Sequence, residues 1–155
     1  MAEEIVEQGY RELADTILEH NPGVDLGRVR AAFELADRAH GGQKRKAGTP
    51  YVTHCVAAAE ITVEMGLDED SIIAALLHDV GKIGVPEAIL NKQGPLTASE
   101  YEEMKKHVDH SVGIIRYLPS LDFVIPAVIG HHERFDGTGY PRRVAGEDIP
   151  LSARI

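Results

Sequence analysis

The sequence is poor in the residue types that mark secreted and membrane-spanning proteins. It has one cysteine, no tryptophan and only 5% aromatic residues, and no apolar run approaches the roughly 18–20 residues that a membrane-spanning helix needs. The lone Cys55 excludes an intramolecular disulfide and fits a reducing cytoplasm, so we expect it to be a packed side chain. The acidic beginning, MAEEIVEQ, lacks the basic and then apolar order of a secretion signal. These features predict a cytoplasmic protein.

Positive charge is also scarce. Sixteen lysines and arginines against 25 acidic residues give a net charge of −9, which disfavours long nucleic acid or an anionic membrane surface as a partner. A small phosphorylated substrate remains compatible with this charge if bound metal ions supply local positive charge. The length of 155 residues favours one domain. We therefore expect a single domain over 1–155, with N-terminal helices in 1–66 and a motif-bearing region over 72–155.

Helical periodicity is present along almost the whole chain, and no alternating strand pattern occurs. Asp25 is an expected helix N-cap, and Thr97 with Glu100 forms a capping-box pattern. The predicted fold class is all-α, a bundle of about six to seven helices. Their predicted bounds are about 3–20, 26–40, 52–65, 69–80, 97–118 and 121–133, with a further helix beginning at 151.

Histidine and aspartate residues fall where helix ends should meet. The third and fourth predicted helices are joined by a short turn, so they should be antiparallel neighbours. His54 lies near the start of one, and His78 and Asp79 lie near the end of the other. At about 1.5 Å per residue, these positions are at the same end of the hairpin.

The next pair of helices repeats this arrangement. His107 and the pair His131 and His132 lie at similar distances from their shared turn, so they can also face each other. Imidazoles with a carboxylate, and no group of thiolates, favour iron, manganese or zinc. Packing one hairpin on the other would merge the two clusters into one metal centre. For the remaining helical histidines a core or surface role is the expectation; these are His20, His40 and His110.

Three separated motifs carry a family resemblance. HDVGKIGVPEAILNK (78–92), LTASEYEEMKKH (96–107) and HHERFDGTGYP (131–141) resemble the HD-GYP branch of the HD-domain phosphohydrolases. The resemblance covers about residues 72–155. It implies an HD-domain helical bundle that holds two or three iron or manganese ions. It also implies hydrolysis of cyclic di-GMP by metal-activated water.

The resemblance also assigns residues. The positions that match metal ligands are His78, Asp79, His107, His131 and His132. Lys82 matches the lysine of the HDxGK motif, and it is implied to act in catalysis together with Asp79. Gly139 and Tyr140 match the GYP loop, where they and Gly137 are implied to approach the substrate.

The first half of the chain has a second resemblance. RAHGGQKRKAGTPYVTHCVAAAEI (38–61), within about residues 28–79, is similar to the hydrolase domain of RelA/SpoT-type alarmone enzymes. His54 matches the first metal-ligand histidine of that family, and Arg45 and Lys46 match a basic loop beside the nucleotide. A solvated basic loop is the alternative for those two residues. The chain is thus interpreted as a mosaic of two HD branches, in which Lys82 replaces an acidic residue of the alarmone hydrolases.

Three functions stay open at this point. The first is a cyclic di-GMP phosphodiesterase, the second is a guanosine tetraphosphate 3′-pyrophosphohydrolase, and the third is a catalytically incomplete HD module that binds a nucleotide or a protein. The third arises because the resemblance places one more aspartate ligand shortly beyond Ile155, so the chain is interpreted as C-terminally truncated. The expected partner is a small phosphorylated guanine nucleotide, and a homodimer stays open.

Overall fold

A computed structural model describes residues 2–45, 47–118 and 120–154. The chain divides into two compact units, one that ends at Leu77 and one that spans His78–Arg154. The expectation of one domain over 1–155 stays a prediction.

The first unit contains four helices: α1 (Ala2–His20), α2 (Leu26–Ala39), α3 (Val52–Glu64) and α4 (Glu69–Leu77). The periodicity of α1 explains its packing, since its buried residues Val6, Tyr10, Leu13 and Ile17 recur at helical spacing. Helix α1 packs on α3, and α4 packs on both α2 and α3. Asp25 caps α2 as predicted, because its carboxylate accepts from the backbone N–H of Gly27 at 2.8 Å.

The second unit contains four shorter α-helices: α5 (Glu87–Leu90), α6 (Ala98–Lys105), α7 (His107–Arg116) and α8 (Ile125–Gly130). Four 3₁₀ turns connect or follow them, at Val80–Gly84, Asp122–Val124, Gly146–Asp148 and Leu151–Ala153. The capping box at the start of α6 is present. Thr97 Oγ1 accepts from the Glu100 N–H, and the Glu100 carboxylate accepts from the Thr97 N–H at 2.7 Å.

The fourth predicted helix is shorter than expected. It ends at Leu77 instead of continuing to residue 80, and the first 3₁₀ turn follows. A side chain from α7 explains the change: Ser111 Oγ accepts from the Gly81 N–H at 2.8 Å and donates to the His78 carbonyl at 3.1 Å. Both backbone groups therefore find partners outside an α-helical ladder.

Two other predicted helices are also interrupted beside a histidine. The expected helix over 97–118 breaks at Lys106, and the expected helix over 121–133 begins as a 3₁₀ turn and ends at Gly130. At each break a histidine ring forms a hydrogen bond with the backbone carbonyl of the residue three positions earlier. His107 Nδ1 donates to the Met104 carbonyl at 2.7 Å, and His131 Nδ1 donates to the Val128 carbonyl at 2.6 Å. The helix predicted from 151 is a single 3₁₀ turn.

The all-α prediction is confirmed. The described ranges contain eight α-helical segments and no strand, apart from one isolated bridge between Lys44 and Pro50. Helices α6 and α7 are separated by one residue, so counting them as one interrupted helix gives seven, within the predicted number. Across these same ranges, no helix has both the length and the apolar character needed to cross a membrane.

Candidate metal centre and adjoining cleft

The turn that carries Asp79 lies directly against α7. A Cβ added to Gly81 would fall 2.1 Å from the His107 carbonyl oxygen and 2.2 Å from the Ser111 nitrogen. Only glycine permits so close an approach of two backbones. The Ser111 hydroxyl fixes the same contact through its two hydrogen bonds. Asp79 is therefore held against the first turn of α7, where His107 lies.

Four side chains from this unit converge on one point. Asp79, His107, His131 and His132 each offer a ligand atom, and these atoms all lie within 4.8 Å of one another. Asp79 and His107 are each only 1% exposed. Asp79 Oδ1 lies 3.3 Å from His107 Nε2 and 3.7 Å from His131 Nε2.

The hydrogen bonds of the rings decide which nitrogens face the cluster. His107 and His131 direct Nδ1 to backbone carbonyls, so in the neutral ring the proton lies on Nδ1 and Nε2 keeps its lone pair. The two Nε2 atoms lie 3.3 Å apart, and His132 Nε2 lies 3.2 Å from His107 Nε2. Lone pairs that meet in this way suit a shared cation. Backbone acceptors on the second ring nitrogen are also the usual support of a metal-bound histidine.

The pKa values of two rings favour this neutral form. Burial lowers the pKa of His107 to about 4, and burial together with the neighbouring His131 and His107 lowers the pKa of His132 to about 3. Both rings are thus uncharged at neutral pH, the state in which imidazole binds a metal ion.

Asp79 remains ionised beside them. Burial opposes its charge, but His78, His131 and Lys82 outweigh burial and hold the pKa of the carboxyl well below its usual range. Asp79 Oδ2 lies 2.7 Å from Lys82 Nζ and 3.1 Å from His78 Nε2. One carboxylate with several imidazoles fits a divalent transition metal, so the residues present suit the predicted cofactor class. The His78 ring centre is 5.0 Å from that of His131, which puts His78 at the edge of the four-residue cluster.

The predicted substrate loop is built against the same histidines. Tyr140 stacks on His132, with ring centres 4.6 Å apart and planes 18° apart, and its N–H donates to the His132 carbonyl. Gly139 is needed because a Cβ there would fall 2.4 Å from the Arg134 nitrogen, and Gly137 has a φ of +76°. Glu133 Oε1 accepts from the Arg142 and Arg143 N–H groups at 2.6 and 3.1 Å. The loop is therefore tied to the histidine pair at several points.

An open cleft of about 690 Å³ lies between this loop and α6. Tyr101 and Tyr140 meet edge to face in it, with ring centres 6.1 Å apart. Burial raises the pKa of the Tyr140 hydroxyl, with Tyr101 and Asp79 adding to the effect. Tyr140 thus has one face on the candidate metal centre and also lines the cleft.

The remaining predicted site residues belong to the first unit. His54 is half-buried near the start of α3, edge-on to the Tyr51 ring at 5.7 Å. Arg45 is exposed and its N–H donates to the Thr49 carbonyl at 2.8 Å, whereas Lys46 lies outside the described residues. The assignment of His54 to the metal centre, and of the two basic residues to substrate, stays a prediction.

The structural roles expected for other residues are confirmed in part. Cys55 is buried, with Sγ 3.7 Å from His40 Nε2, and His40 is itself only 3% exposed. His20 is exposed at the end of α1, and His110 packs closely on Gly84. These positions match the core and surface roles predicted for them.

Three residues that shape the site were not singled out from the sequence: Gly81, Ser111 and Glu133. Ser111 lies four residues after His107, so the two share a helix face, and this spacing was a usable signal. Gly81 follows directly after the helix predicted over 69–80, which indicates a helix end but no contact with α7. Nothing in the sequence indicates that Glu133 holds the loop through backbone N–H groups.

Comparison with known proteins finds one matching family and several relatives of similar sequence. The HD domain family matches residues 32–155. A 3′3′-cGAMP-specific phosphodiesterase of Vibrio cholerae is 48% identical over 86 residues, which are 53% of this chain and 16% of that protein. A cyclic di-GMP phosphodiesterase of Thermotoga maritima is 41% identical over 104 residues, 63% of this chain and 28% of that protein.

A third relative bears on the expected mosaic. The cyclic di-GMP phosphodiesterase response regulator RpfG of Xanthomonas campestris is 39% identical over 136 residues, 84% of this chain and 34% of that protein. An alignment that covers 84% of this chain must include residues 38–61, whichever residue it begins at. The segment interpreted as alarmone-like therefore aligns with a cyclic di-GMP enzyme, and a second family is not needed to explain it.

The family match covers most of the chain, including all the residues of the histidine cluster. The chain spans between 16% and 34% of the length of these three relatives. On the family match, this chain belongs to the HD domain family.

Proposed function

We propose that this chain is the hydrolytic domain of a metal-dependent phosphodiesterase that acts on a cyclic guanine dinucleotide, most directly cyclic di-GMP. The observation that carries the proposal is the convergence of Asp79, His107, His131 and His132, whose ligand atoms lie within 4.8 Å of one another. The names of the relatives support cyclic dinucleotides as the substrate class.

The proposed cofactor is iron or manganese, with two or three ions. When bound at such a site, divalent ions activate water and stabilise the charge that develops at phosphorus. The four clustered residues would hold the metal, with His78 at the edge of the cluster as a further ligand. The Met104 and Val128 carbonyls hold two of the rings in the ligand orientation.

Lys82 is the proposed partner of the substrate phosphate. Its side chain is 15% exposed and its ammonium lies 2.7 Å from Asp79 Oδ2, so it is next to the cluster and still reachable. An ammonium there would bind a phosphate oxygen and stabilise negative charge as the phosphorus–oxygen bond breaks. It would also offset the overall charge of −9 at the point where an anionic substrate must bind.

The loop over 137–141 is the proposed substrate-positioning element. Gly137 and Gly139 let its backbone approach closely, and Tyr140 presents an aromatic ring beside His132. Arg45 and Lys46 are proposed as additional phosphate contacts from the first unit. The alternative function, alarmone pyrophosphohydrolysis, is opposed by Lys82, which lies where the alarmone hydrolases have an acidic residue.

Metal analysis and substrate assays test the proposal together. The chain purified without oxygen should contain at least one equivalent of iron, manganese or zinc. It should hydrolyse cyclic di-GMP faster than guanosine tetraphosphate. Less than one equivalent of metal would overturn the enzyme proposal, and a preference for the tetraphosphate would replace it with the alarmone function.

The ligand role of His54 has its own test. His54→Ala should lower the metal content, because an imidazole ligand is removed, while His20→Ala at an exposed position should not. Elemental analysis of both variants measures this. Equal metal content in the two would remove His54 from the proposed ligand set.

A further inference from the structure

One face of α6 brings charged and aromatic groups together in the cleft beside the loop. Tyr101, Glu102 and Lys105 all line it. Lys105 Nζ lies 5.3 Å from the centre of the Tyr101 ring and 5.6 Å from that of Tyr140. Its ammonium is thus held near two aromatic rings, an arrangement that favours a cation.

Glu102 completes the arrangement. Its carboxylate accepts from Lys105 Nζ at 2.6 Å, and the two side chains are 68% and 24% exposed. A solvated pair of this kind contributes little to folding stability. In the cleft, however, it presents a hydrogen-bond acceptor and a donor side by side, next to two aromatic rings.

This order of groups is complementary to guanine. The Watson–Crick edge of guanine offers two adjacent donors, N1–H and the N2 amino group, next to the acceptor O6. A carboxylate binds the two donors and an ammonium binds O6. Adenine offers an amino donor at the O6 position, facing the ammonium, and an acceptor at N1, facing the carboxylate. The same pair of side chains therefore repels adenine and attracts guanine.

The cleft has the size and the walls that a base requires. Its volume of about 690 Å³ falls within the roughly 300–1,000 Å³ of small-molecule sites. Aromatic side chains contribute to base binding by stacking, irrespective of which base is bound. Tyr140 also stacks on His132, so a base against Tyr140 would be one ring away from the candidate metal centre.

We propose that Glu102 and Lys105 determine base specificity: they bind the guanine edge of the nucleotide, while the base lies against the tyrosine rings that line the same cleft. This rests on the proposed function, and it names the side chains that distinguish a guanine from an adenine nucleotide.

Nucleotide binding tests the proposal without requiring turnover. Calorimetry of the purified chain with 5′-GMP and 5′-AMP should give a dissociation constant about tenfold lower for GMP. Glu102→Ala and Lys105→Met should each bring the two constants to within about twofold. Ser99→Ala is the control, because Ser99 is exposed on the same helix and does not line the cleft. It should keep the preference.

The outcomes separate this proposal from the proposed function. Equal affinities in the unmodified chain, or an unchanged ratio in both variants, would overturn the specificity role even if cyclic di-GMP is hydrolysed. If one variant keeps the ratio of the AMP and GMP dissociation constants, the residue changed in that variant has no role in specificity. A guanine preference that depends on both residues, in a chain that hydrolyses no cyclic dinucleotide, would support the specificity role and sink the phosphodiesterase proposal.

Discussion

At the scale of single residues, the candidate centre depends on which nitrogen of each ring carries the proton. Backbone carbonyls of Met104 and Val128 bind Nδ1 of His107 and His131, so both Nε2 atoms are directed at the cluster. Ordinary helix geometry is interrupted at both histidines to allow it. The same local contacts therefore interrupt the helices and orient the two candidate ligand nitrogens.

Asp79 is the residue whose loss should matter most for metal binding. Asp79→Ala removes the only carboxylate of the four-residue cluster, so metal affinity should fall by more than the roughly 10–100-fold typical of changes around a metal ligand. Elemental analysis and far-UV circular dichroism should show metal loss with the helical signal retained. Asp122→Ala, exposed on a 3₁₀ turn, is the control. Full metal occupancy in Asp79→Ala would exclude the ligand assignment.

Lys82 should affect turnover more than metal content. Lys82→Ala removes the ammonium beside Asp79 Oδ2 but leaves the four clustered side chains in place. We expect kcat for cyclic di-GMP to fall by about 100-fold, with metal content within about twofold of the unmodified chain. Arg116→Ala, exposed at the end of α7, should change neither. An unchanged rate in Lys82→Ala would make Lys82 a structural partner of Asp79 only.

At the scale of elements, the contact between the turn Val80–Gly84 and α7 brings Asp79 to His107. It depends on the absence of a side chain at Gly81 and on the two hydrogen bonds of Ser111. The turn cannot move away from α7 without leaving the Gly81 N–H and the Ser111 hydroxyl to find new partners. This contact therefore couples the local fold to the geometry of the site.

Two glycine substitutions should have opposite effects on this unit. Gly81→Ala forces a Cβ to within 2.1 Å of the His107 carbonyl oxygen, so it should destabilise the protein by about 1–3 kcal/mol and reduce metal content. Gly113→Ala, on α7 with open space around its Cβ, should stabilise by about 0.5–1 kcal/mol. Urea denaturation measures both. Equal stability in the two variants would show that the close approach at Gly81 has no energetic consequence.

At the scale of the whole molecule, net negative charge and burial have opposite effects on the pKa of a histidine: negative charge raises it, and burial lowers it. The chain carries a net charge of −9, yet two histidines of the cluster have pKa values far below their usual 6.5. Burial causes the shift, because the charged ring loses its hydration. The folded chain thus keeps these two imidazoles neutral at pH values where an unfolded chain would protonate them.

Stability should therefore depend on pH even without metal. Below pH 6.5 the unfolded chain binds protons that His107, with a pKa of about 4, and His132, with a pKa of about 3, do not bind when folded. The free energy of unfolding of the chelated protein should fall by more than about 1 kcal/mol as pH falls from 6.5 to 4. His107→Gln should flatten this slope. Identical slopes for the unmodified chain and the variant, measured by urea titration at each pH, would contradict the assignment.

The sequence predicts the helices more completely than it predicts the geometry of the candidate site. Helical periodicity and capping residues determined the all-α class, the bounds of α1, α2 and α3, and the caps at Asp25 and Thr97, because these depend on neighbours close in sequence. The histidine motifs also indicated the metal-ligand candidates. The true end of α4 and the breaks beside His107 and His131 were not predictable.

Those features come from side chains distant in sequence or from a choice between two local hydrogen-bond patterns. Ser111 is 30 residues from the Gly81 N–H that it binds, and no periodic pattern records such a contact. The ring nitrogen that His107 and His131 each direct to the cluster follows instead from a local hydrogen bond to a carbonyl three residues earlier, which competes with the helical pattern. The sequence by itself determined which chemical groups were present and on which elements. Only the tertiary structure decided which atoms meet, since burial and long-range hydrogen bonds such as those of Ser111 bring the elements together.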